Sequence, residues 1–405
     1  MTKRRASGSM PSTTANQNIP SPHHVGVEQW QSTHPFGGLC MCRGQSDLDI
    51  PTRSTPQSHT EHYEDIGNLN MSKPEPLTLA EQLSFKPQSN SNEFETVHPP
   101  SRMGNPSNIA YGGYALAVGC KAAYLSVPTS HHLYSMLGHY VAPAYADRPL
   151  RAKVRTIRQT RTFATRQVEV SQVRDDGEER VCLIAMTDFQ VQEPATLVEF
   201  SRPPAMKYTH HGAVARQHLV FDKLLRDGKI TRQMLDLHSN TFGIMNHIFD
   251  QRPCPESIFA QNLFGIAKHL PHTQDNMPLT SRTTADWFRC YETMPTPADH
   301  IANLAFLIDG AVAFLALSFS HLWFDDVSAV SSLDFALRLF KTGDKVDLGQ
   351  WHLREMQTRV GAEGRAFGES WIWDEQGRAV ASMSQQSIVR PPPPPEKGNK
   401  EKEKL

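Results

Sequence analysis

The sequence predicts an α+β fold in which two similar units each wrap an antiparallel sheet around a long buried helix. Three observations predict it. Two segments read as helices without a polar face, as expected for buried helices, and strand-like segments with alternating apolar and polar residues accompany them. In addition, the hairpin that ends the first unit has a counterpart at the end of the second. Polar tails without a sustained period flank the two units and are predicted to be disordered.

Composition along the 405 residues suggests the division into domains. The predicted units are a disordered extension at 1–75, an N-terminal domain at 76–194, a helical linker at 195–250, a C-terminal domain at 251–392 and a disordered charged tail at 393–405. The linker is polar and helix-compatible, so its helix is expected to pack on the outside.

The first unit has the elements of a sheet around one helix. It begins with a short amphipathic helix in LTLAEQLSF and an extended piece, NEFETV. The stretch YGGYALAVGCKAAYLSVP then predicts the long buried helix, because almost all of its residues are small or apolar. Strand-like runs follow at 135–145, 150–159, 162–173 and 179–192, with DDG as the turn of a hairpin.

The second unit ends as the first does. RAFGESWIWDEQGRAVASMSQQSIVR reads as strand, turn and strand, and it can be laid on TFATRQVEVSQVRDDGEERVCLIAMTDFQV. In this alignment Phe163 corresponds to Phe367 and Gly177 to Gly377, about 200 residues further along. The sequence therefore predicts an internal duplication.

The second long apolar segment, 298–318, is predicted to be the buried helix of the second unit. Its most apolar part, Leu304–Phe319, falls short of the roughly 20 residues that span a bilayer, and it carries Asp309 in the middle. No stable membrane insertion is therefore expected, and no secretory signal is recognised at the start.

The charge balance and the cysteines exclude other classes of partner. Lys and Arg number 41 against 42 Asp and Glu, which gives no general attraction for nucleic acid. The six cysteines are scattered without a CxxC pair, which indicates reduced thiols in an intracellular protein. The histidine pairs lie in polar segments without a third ligand spaced nearby, so no metal site is expected; these pairs are His23–His24, His131–His132 and His210–His211.

Gly112 and Gly113 open the first buried helix. Free backbone N–H groups at a helix N-terminus attract negative charge, and glycine allows a ligand to approach the backbone closely. The residues alone favour a plain buried helix with a glycine cap, and the ligand-binding interpretation stays open beside it.

Strand, buried helix and antiparallel strands, present twice, resemble the double-hotdog acyl-CoA thioesterase II family over about residues 77–392. The most specific match is TRTFATRQVEV, where Gln167 replaces the second Arg of the family pattern. YGGYALAVGCKAAYLSVP, HHLYSMLGHYVAPAYADRPLRAKVRTIRQ, LAFLIDG, SSLDF and VASMSQQSIVR also match. The resemblance implies a double hotdog, hydrolysis of fatty acyl-CoA in lipid metabolism without metal or organic cofactor, and edge-to-edge pairing into a homo-oligomer.

The resemblance also implies the site residues. In the family, an Asp, a Thr or Ser, and a Gln of the second hotdog hold the attacking water, and the matching residues are Asp309, Ser332 and Gln385. Strand alternation sends Gln386 to the opposite face. Asp309 would be the general base, and backbone N–H groups of the glycine pair would stabilise the oxyanion.

The chain departs from the family after Ser332. Its segment DFALRLF stands where family members have Asp-His-Ser-x-Trp-Phe-His, so both histidines are lost, which bears on substrate range. Two alternatives stay open: a hotdog hydratase or dehydratase acting on enoyl-thioesters, which usually pairs an Asp with a His, and a non-catalytic acyl-CoA-binding protein. No GxSxG elbow supports a nucleophilic-serine hydrolase.

The terminal Glu403-Lys404-Leu405 matches the last two residues of a peroxisomal Ser-Lys-Leu ending. A cytoplasmic or a peroxisomal location is therefore expected.

Overall fold

A computed structural model describes the part of the chain that contains both predicted units. The described residues are 77–87, 90, 92–104 and 107–392. The two tails predicted to be disordered, with the terminal Glu-Lys-Leu, lie outside the described residues.

The helices and strands follow the predicted order, with further strands in the second unit. The helices are α1 (Leu79–Gln82), α2 (Gly112–Leu125), α3 (Gln217–Arg226), α4 (Arg232–Ile248), α5 (Ile258–Asn262), α6 (Pro297–Ile308) and α7 (Leu315–Phe319). The strands are β1 (Glu93–Glu95), β2 (His131–Tyr140), β3 (Arg151–Gln159), β4 (Phe163–Val173), β5 (Glu179–Val191), β6 (Phe249–Pro253), β7 (Thr284–Cys290), β8 (Ala329–Ser332), β9 (Asp334–Leu339), β10 (His352–Ala362), β11 (Arg365–Asp374) and β12 (Ala379–Arg390).

The strands join into one twelve-stranded sheet, in the order β1-β3-β4-β5-β2-β9-β12-β11-β10-β7-β6, with β8 beside β12. Antiparallel pairing of β2 with β9 is the seam between the two predicted sheets. Outward from this seam, β2-β5-β4-β3 on one side mirrors β9-β12-β11-β10 on the other. The two hairpins turn at Gly177 and Gly377, whose φ angles of 84° and 75° favour glycine.

Helices α2 and α6 pack against each other and against the sheet. Eleven of the fourteen residues of α2 are buried, which explains the missing polar face. Small residues permit this closeness: a Cβ on Gly119 would lie only 3.1 Å from Val170 on β4.

The prediction of a continuous helix over 298–318 is wrong, because the helical segment breaks after α6. Asp309 is the C-terminal cap of α6, and Ala311 has a left-handed φ of 79°, after which a 3₁₀ turn and α7 follow. The buried guanidinium of Arg354 donates to the carbonyls of Leu307 at 2.9 Å and Gly310 at 3.5 Å. Arg354 thus satisfies carbonyl oxygens that the break leaves without helical partners, and the break places Asp309 at a helix end.

The stretch apolar enough to cross a membrane extends beyond Leu304–Phe319, so the expectation that it is too short to span a bilayer is wrong. Pro297–Phe319 spans 23 residues with a mean hydropathy of 1.9, long and apolar enough to cross a membrane by length and composition. Within the described part of the chain, 83% of its apolar window is buried in the protein, as in a core segment.

The linker contributes to the core as well as to the surface. Phe242, Met245 and Ile248 of α4 are buried, so this helix does not simply pack on the outside. The segment ahead of α3 crosses the sheet, where the Tyr208 hydroxyl and the Ala205 N–H each donate to the buried carboxylate of Glu355 at 2.8 Å.

The motif most specific to the family has a structural role. The buried Arg166 donates to the carbonyl of Ser126 at 3.1 Å and to its hydroxyl at 3.2 Å, immediately after α2 ends. It also donates to the carbonyl of Arg158 at 2.9 Å. Arg166 therefore closes the C-terminus of α2 against β4, whereas Gln167 faces outward and accepts a hydrogen bond from Arg155.

The seam between β2 and β9 depends on Gly138, which lies opposite Phe335. A Cβ there would lie 2.5 Å from the carbonyl oxygen of Ile184 and 2.7 Å from the Phe335 ring. We expect Gly138→Ala to lower the free energy of unfolding by about 1–3 kcal/mol because the strands must separate. Gly243→Ala is the control: Gly243 has nothing within 4 Å of its Cβ position, so it should be neutral or stabilising by up to about 1 kcal/mol. Chemical denaturation measures both, and equal effects would contradict a tight seam.

Candidate active site

The carboxylate of Asp309 lies where the two halves of the molecule meet. Its side chain is 6% exposed, and an ionised group at such a place requires partners. The Oδ1 atom accepts a hydrogen bond from Tyr140 Oη at 2.8 Å and one from Gln385 Nε2 at 2.5 Å. Tyr140 belongs to the first half of the chain and Gln385 to the second, so both halves build the site.

Gln385 links Asp309 to the third predicted residue. Ser332 Oγ donates to Gln385 Oε1 at 3.3 Å. The amide therefore accepts at one end and donates at the other, which orients it. The structure thus brings Asp309, Gln385 and Ser332 together in one chain of hydrogen bonds.

Local strand geometry explains the positions of Gln385 and Ser332. Gln385 is 1% exposed and points inward from β12, whereas Gln386 lies on the other face. Asp334, the first residue of β9, accepts a hydrogen bond from the N–H of Gln386 at 3.0 Å, and Leu333, between β8 and β9, donates to the carbonyl of Gln386 at 2.8 Å. These bonds hold the end of β8 beside β12 and thereby hold Ser332 near Gln385.

Burial sets the protonation behaviour of the site. Desolvation raises the pKa of Asp309 to about 6, and the hydrogen bonds from Tyr140, Gln385 and Tyr111 oppose that rise because they stabilise the carboxylate. Burial and the Asp309 charge together raise the pKa of Tyr140 well above its usual value. At neutral pH the site therefore holds a carboxylate beside a protonated tyrosine.

Tyr111, the residue before the glycine pair, packs beside Asp309 and contacts α6. Its hydroxyl donates to the carbonyl of Phe306 at 2.7 Å and also lies beside Asp309, whose pKa it lowers. Its ring also packs edge-on against Phe306 at 5.0 Å. Tyr111 thereby ties the start of α2 to the last turn of α6, next to Asp309.

A cavity of about 670 Å³ opens in front of Asp309. Ser332 and Gly112 also line this cavity, while Gln385 lies behind them. Most of the wall is apolar. It is formed by side chains of α2, α4, β8 and the neighbouring segments, among them Ile109 and Phe314. A carboxylate and a hydroxyl thus face a largely apolar space, as in sites that bind a small organic group.

The two glycines have different environments. A Cβ on Gly112 would lie 3.4 Å from Asp309 Oδ2 and 3.3 Å from the Tyr140 ring, so the N-terminus of α2 approaches the carboxylate closely. Gly113 does not line the cavity; a Cβ there would lie 2.3 Å from the Tyr111 ring, so it makes room for that ring. Of the pair, Gly112 is the residue placed at the candidate site.

Phe335 and Phe340 occupy the positions where family members have histidine. Phe335 is buried and packs against Tyr140 with ring centroids 5.4 Å apart, whereas Phe340 is 50% exposed and contacts Trp371. Phe335 thus supports the tyrosine that donates to Asp309. None of the described residues that line the cavity is a histidine.

Two clusters among the described residues bring metal-ligating groups together. His210, His211 and Glu375 lie at the surface, and His272, Asp275 and His321 lie partly buried. The rings of His272 and His321 stack in parallel, 3° apart, so one ion cannot lie in the plane of both. Neither cluster lines the cavity, and neither is assigned to the candidate site.

Tyr140 and Tyr111 are the site residues that the sequence analysis missed. Tyr111 was within reach, because it precedes the glycine pair that was singled out. Tyr140 sits at the end of a strand 169 residues before Asp309, and no local pattern connects the two.

Comparisons with known proteins match both halves of the chain. Residues 99–190 match the model of the acyl-CoA thioesterase N-terminal domain, and residues 250–389 match that of the acyl-CoA thioesterase C-terminal domain. No curated protein matches the sequence.

Solved structures share the fold at low identity. An acyl-CoA thioesterase II from Mycobacterium marinum is 18% identical, with a TM-score of 0.54 over 78% of this chain and 99% of that one. A tesB protein from Mycobacterium avium subspecies paratuberculosis is 16% identical, with a TM-score of 0.54 over 76% and 97%. A hot dog protein of unknown function from Alicyclobacillus acidocaldarius is 15% identical, with a TM-score of 0.55 over 78% and 98%. Identities this low establish the hotdog fold and leave the substrate open.

Removing the Tyr140 hydroxyl should raise the pKa of Asp309 further above about 6. A hydrogen bond to a charged group contributes about 1.5–3 kcal/mol, so Tyr140→Phe should shift the pKa upward by about 1–2 pH units. Carboxyl carbon NMR of labelled protein across a pH titration measures it. Tyr134→Phe, an exposed position on the same strand, serves as the control, and an unchanged titration in Tyr140→Phe would show that the hydroxyl does not stabilise the carboxylate.

Proposed function

Because the chain belongs to the acyl-CoA thioesterase family, we propose that it hydrolyses fatty acyl-CoA with a water molecule held by Asp309, Ser332 and Gln385. One observation carries the proposal. A buried carboxylate, with one oxygen saturated by hydrogen bonds, faces an apolar cavity that a hydroxyl also lines. This arrangement suits a general base that acts on water beside an acyl chain.

The hydrogen bonds give the two carboxylate oxygens of Asp309 different roles. Oδ1 of Asp309 accepts from Tyr140 and Gln385, which leaves Oδ2 as the proton acceptor. The Ser332 hydroxyl donates its hydrogen bond to Gln385, so the Ser332 oxygen can accept a hydrogen bond from water. A water between these two acceptors has both protons engaged, and its lone pair is free to attack.

In the proposed reaction, Asp309 removes a proton from water as the oxygen bonds to the thioester carbonyl carbon. The resulting oxyanion is stabilised by the N–H of Gly112 at the N-terminus of α2, where helix polarity favours negative charge. The tetrahedral intermediate then breaks its C–S bond. Coenzyme A leaves as thiolate and takes up the proton from Asp309, which releases the fatty acid and restores the carboxylate.

The alternatives receive less support from the cavity. A hydratase or dehydratase of this fold usually pairs its Asp with a His, and the described cavity lining contains no histidine. A non-catalytic acyl-CoA-binding protein would not need a carboxylate with a raised pKa beside the acyl site, since burying such a group is costly.

Asp309→Asn keeps the size of the side chain and removes the base. We expect the rate of free-thiol release from acyl-CoA to fall on the order of 10²–10⁴-fold, while affinity for a non-hydrolysable acyl-CoA analogue is retained. Asp236→Asn, an exposed change on α4, should leave the rate unchanged. A wild-type protein that binds the analogue but releases no thiol from short, medium or long acyl-CoAs would establish the binding protein instead.

The pH dependence follows from the same carboxylate. Water activation requires the ionised form, so kcat/KM, which reports the pKa of the free enzyme, should rise as the pH increases through about 6 and then level off. The acid limb should move upward in Tyr140→Phe, because that variant loses a bond to the carboxylate. Steady-state rates between pH 4.5 and 8 test this, with the folded fraction followed by circular dichroism, and a flat profile would argue against Asp309 as the base.

A further inference from the structure

We propose that Phe242, on linker helix α4, forms the inner wall of the acyl-binding cavity and limits the length of the acyl chain that the enzyme accepts. The inference rests on the proposed function, because it concerns the substrate of the same cavity. It gives the linker a part in substrate selection.

The exposure of the lining residues shows which end of the cavity is the entrance. Val141 is 52% exposed and Ser331 is also exposed, whereas Phe242 and Phe314 are 6% and 7% exposed. Coenzyme A carries phosphates whose burial would be very costly, so it must remain at the exposed end. The acyl chain therefore extends inward, toward Phe242 and Phe314.

A second, small cavity of about 20 Å³ lies beyond this inner end. The two cavities share three wall residues, Met103, Phe242 and Ala311. Since the same side chains line both spaces, they form the partition between them. Phe242 is the largest of the three, so its ring is the principal barrier.

Three polar side chains contribute to the wall of the small cavity on the far side of the partition. Gln217, Gln251 and Arg354 line the small cavity, and the buried Oε1 of Gln217 has no hydrogen-bond partner among the described residues. A space of this size holds about one water molecule, which could serve that oxygen. Phe242 thus separates the acyl channel from a space that holds about one water molecule, and its ring is where an alkyl chain would stop.

The partition is held in place by packing. The Phe242 ring contacts those of Phe264, Phe314 and Trp323 at centroid distances of 5.4, 5.8 and 5.9 Å. The N–H of Gly104 donates to the carbonyl of Thr241 at 3.0 Å, which ties the segment carrying Met103 to α4. A wall fixed on several sides gives a sharp upper limit to chain length.

The test is free-thiol release from a series of saturated acyl-CoAs that differ by two carbons, with kcat/KM measured for each length. Phe242→Ala should move the optimum toward longer chains by about two to four carbons, because the removed ring leaves space for them. Phe242→Leu removes less volume and is the variant to use if Phe242→Ala does not fold. It should move the optimum chain length less, in the same direction.

Phe259→Ala is the matched control. Phe259 is buried in the same aromatic cluster and stacks on Phe264 at 4.5 Å, yet it lines neither cavity. It should lower stability comparably and leave the optimum length unchanged.

The outcomes separate this inference from the proposed function. A length profile that stays the same in folded Phe242→Ala and Phe242→Leu, or that shifts equally in Phe259→Ala, would overturn the role of Phe242 while hydrolysis stands. Absence of thiol release by the wild-type protein from every chain length would overturn the proposed function, and this inference with it.

Discussion

The structure of the candidate site depends on how one buried carboxylate is kept ionised. Asp309 lies at the end of α6, where helix polarity disfavours negative charge, and burial adds to that cost. Three features offset it: hydrogen bonds from Tyr140 and Gln385, and the close approach of the N-terminus of α2 at Gly112. The opposed ends of the two buried helices thus meet at one carboxylate.

This constraint explains several features that otherwise look unrelated. The break after Ile308 puts Asp309 at the cavity, and Arg354 satisfies the carbonyls that the break exposes. Phe335, at a position where family members have histidine, supports the tyrosine that bonds to Asp309. At Phe335 the departure from the family pattern therefore falls behind the site, and Asp309, Ser332 and Gln385, the side chains proposed to hold the water, stay connected by hydrogen bonds.

Much of the fold was predictable because its signals are local. Alternation in RQVEVSQV, the glycines of the two hairpin turns and the missing polar face of α2 each reflect neighbouring residues. The break inside the second apolar segment was not predictable in this way: its composition reads as one helix, whereas in the folded protein Ala311 has a left-handed φ and packs against a hydrophobic core cluster. Likewise, the polar composition of the linker gave no sign that Phe242 would reach the cavity.

For the site, the sequence by itself determined the chemistry available: a carboxylate in an apolar segment, with a hydroxyl and an amide at positions that match a family pattern. Only the tertiary structure decided that Gln385 and Tyr140, 76 and 169 residues from Asp309, donate to the same oxygen. The reason is that the seam between β2 and β9 joins the halves, and contacts across it leave no periodic signal in either strand.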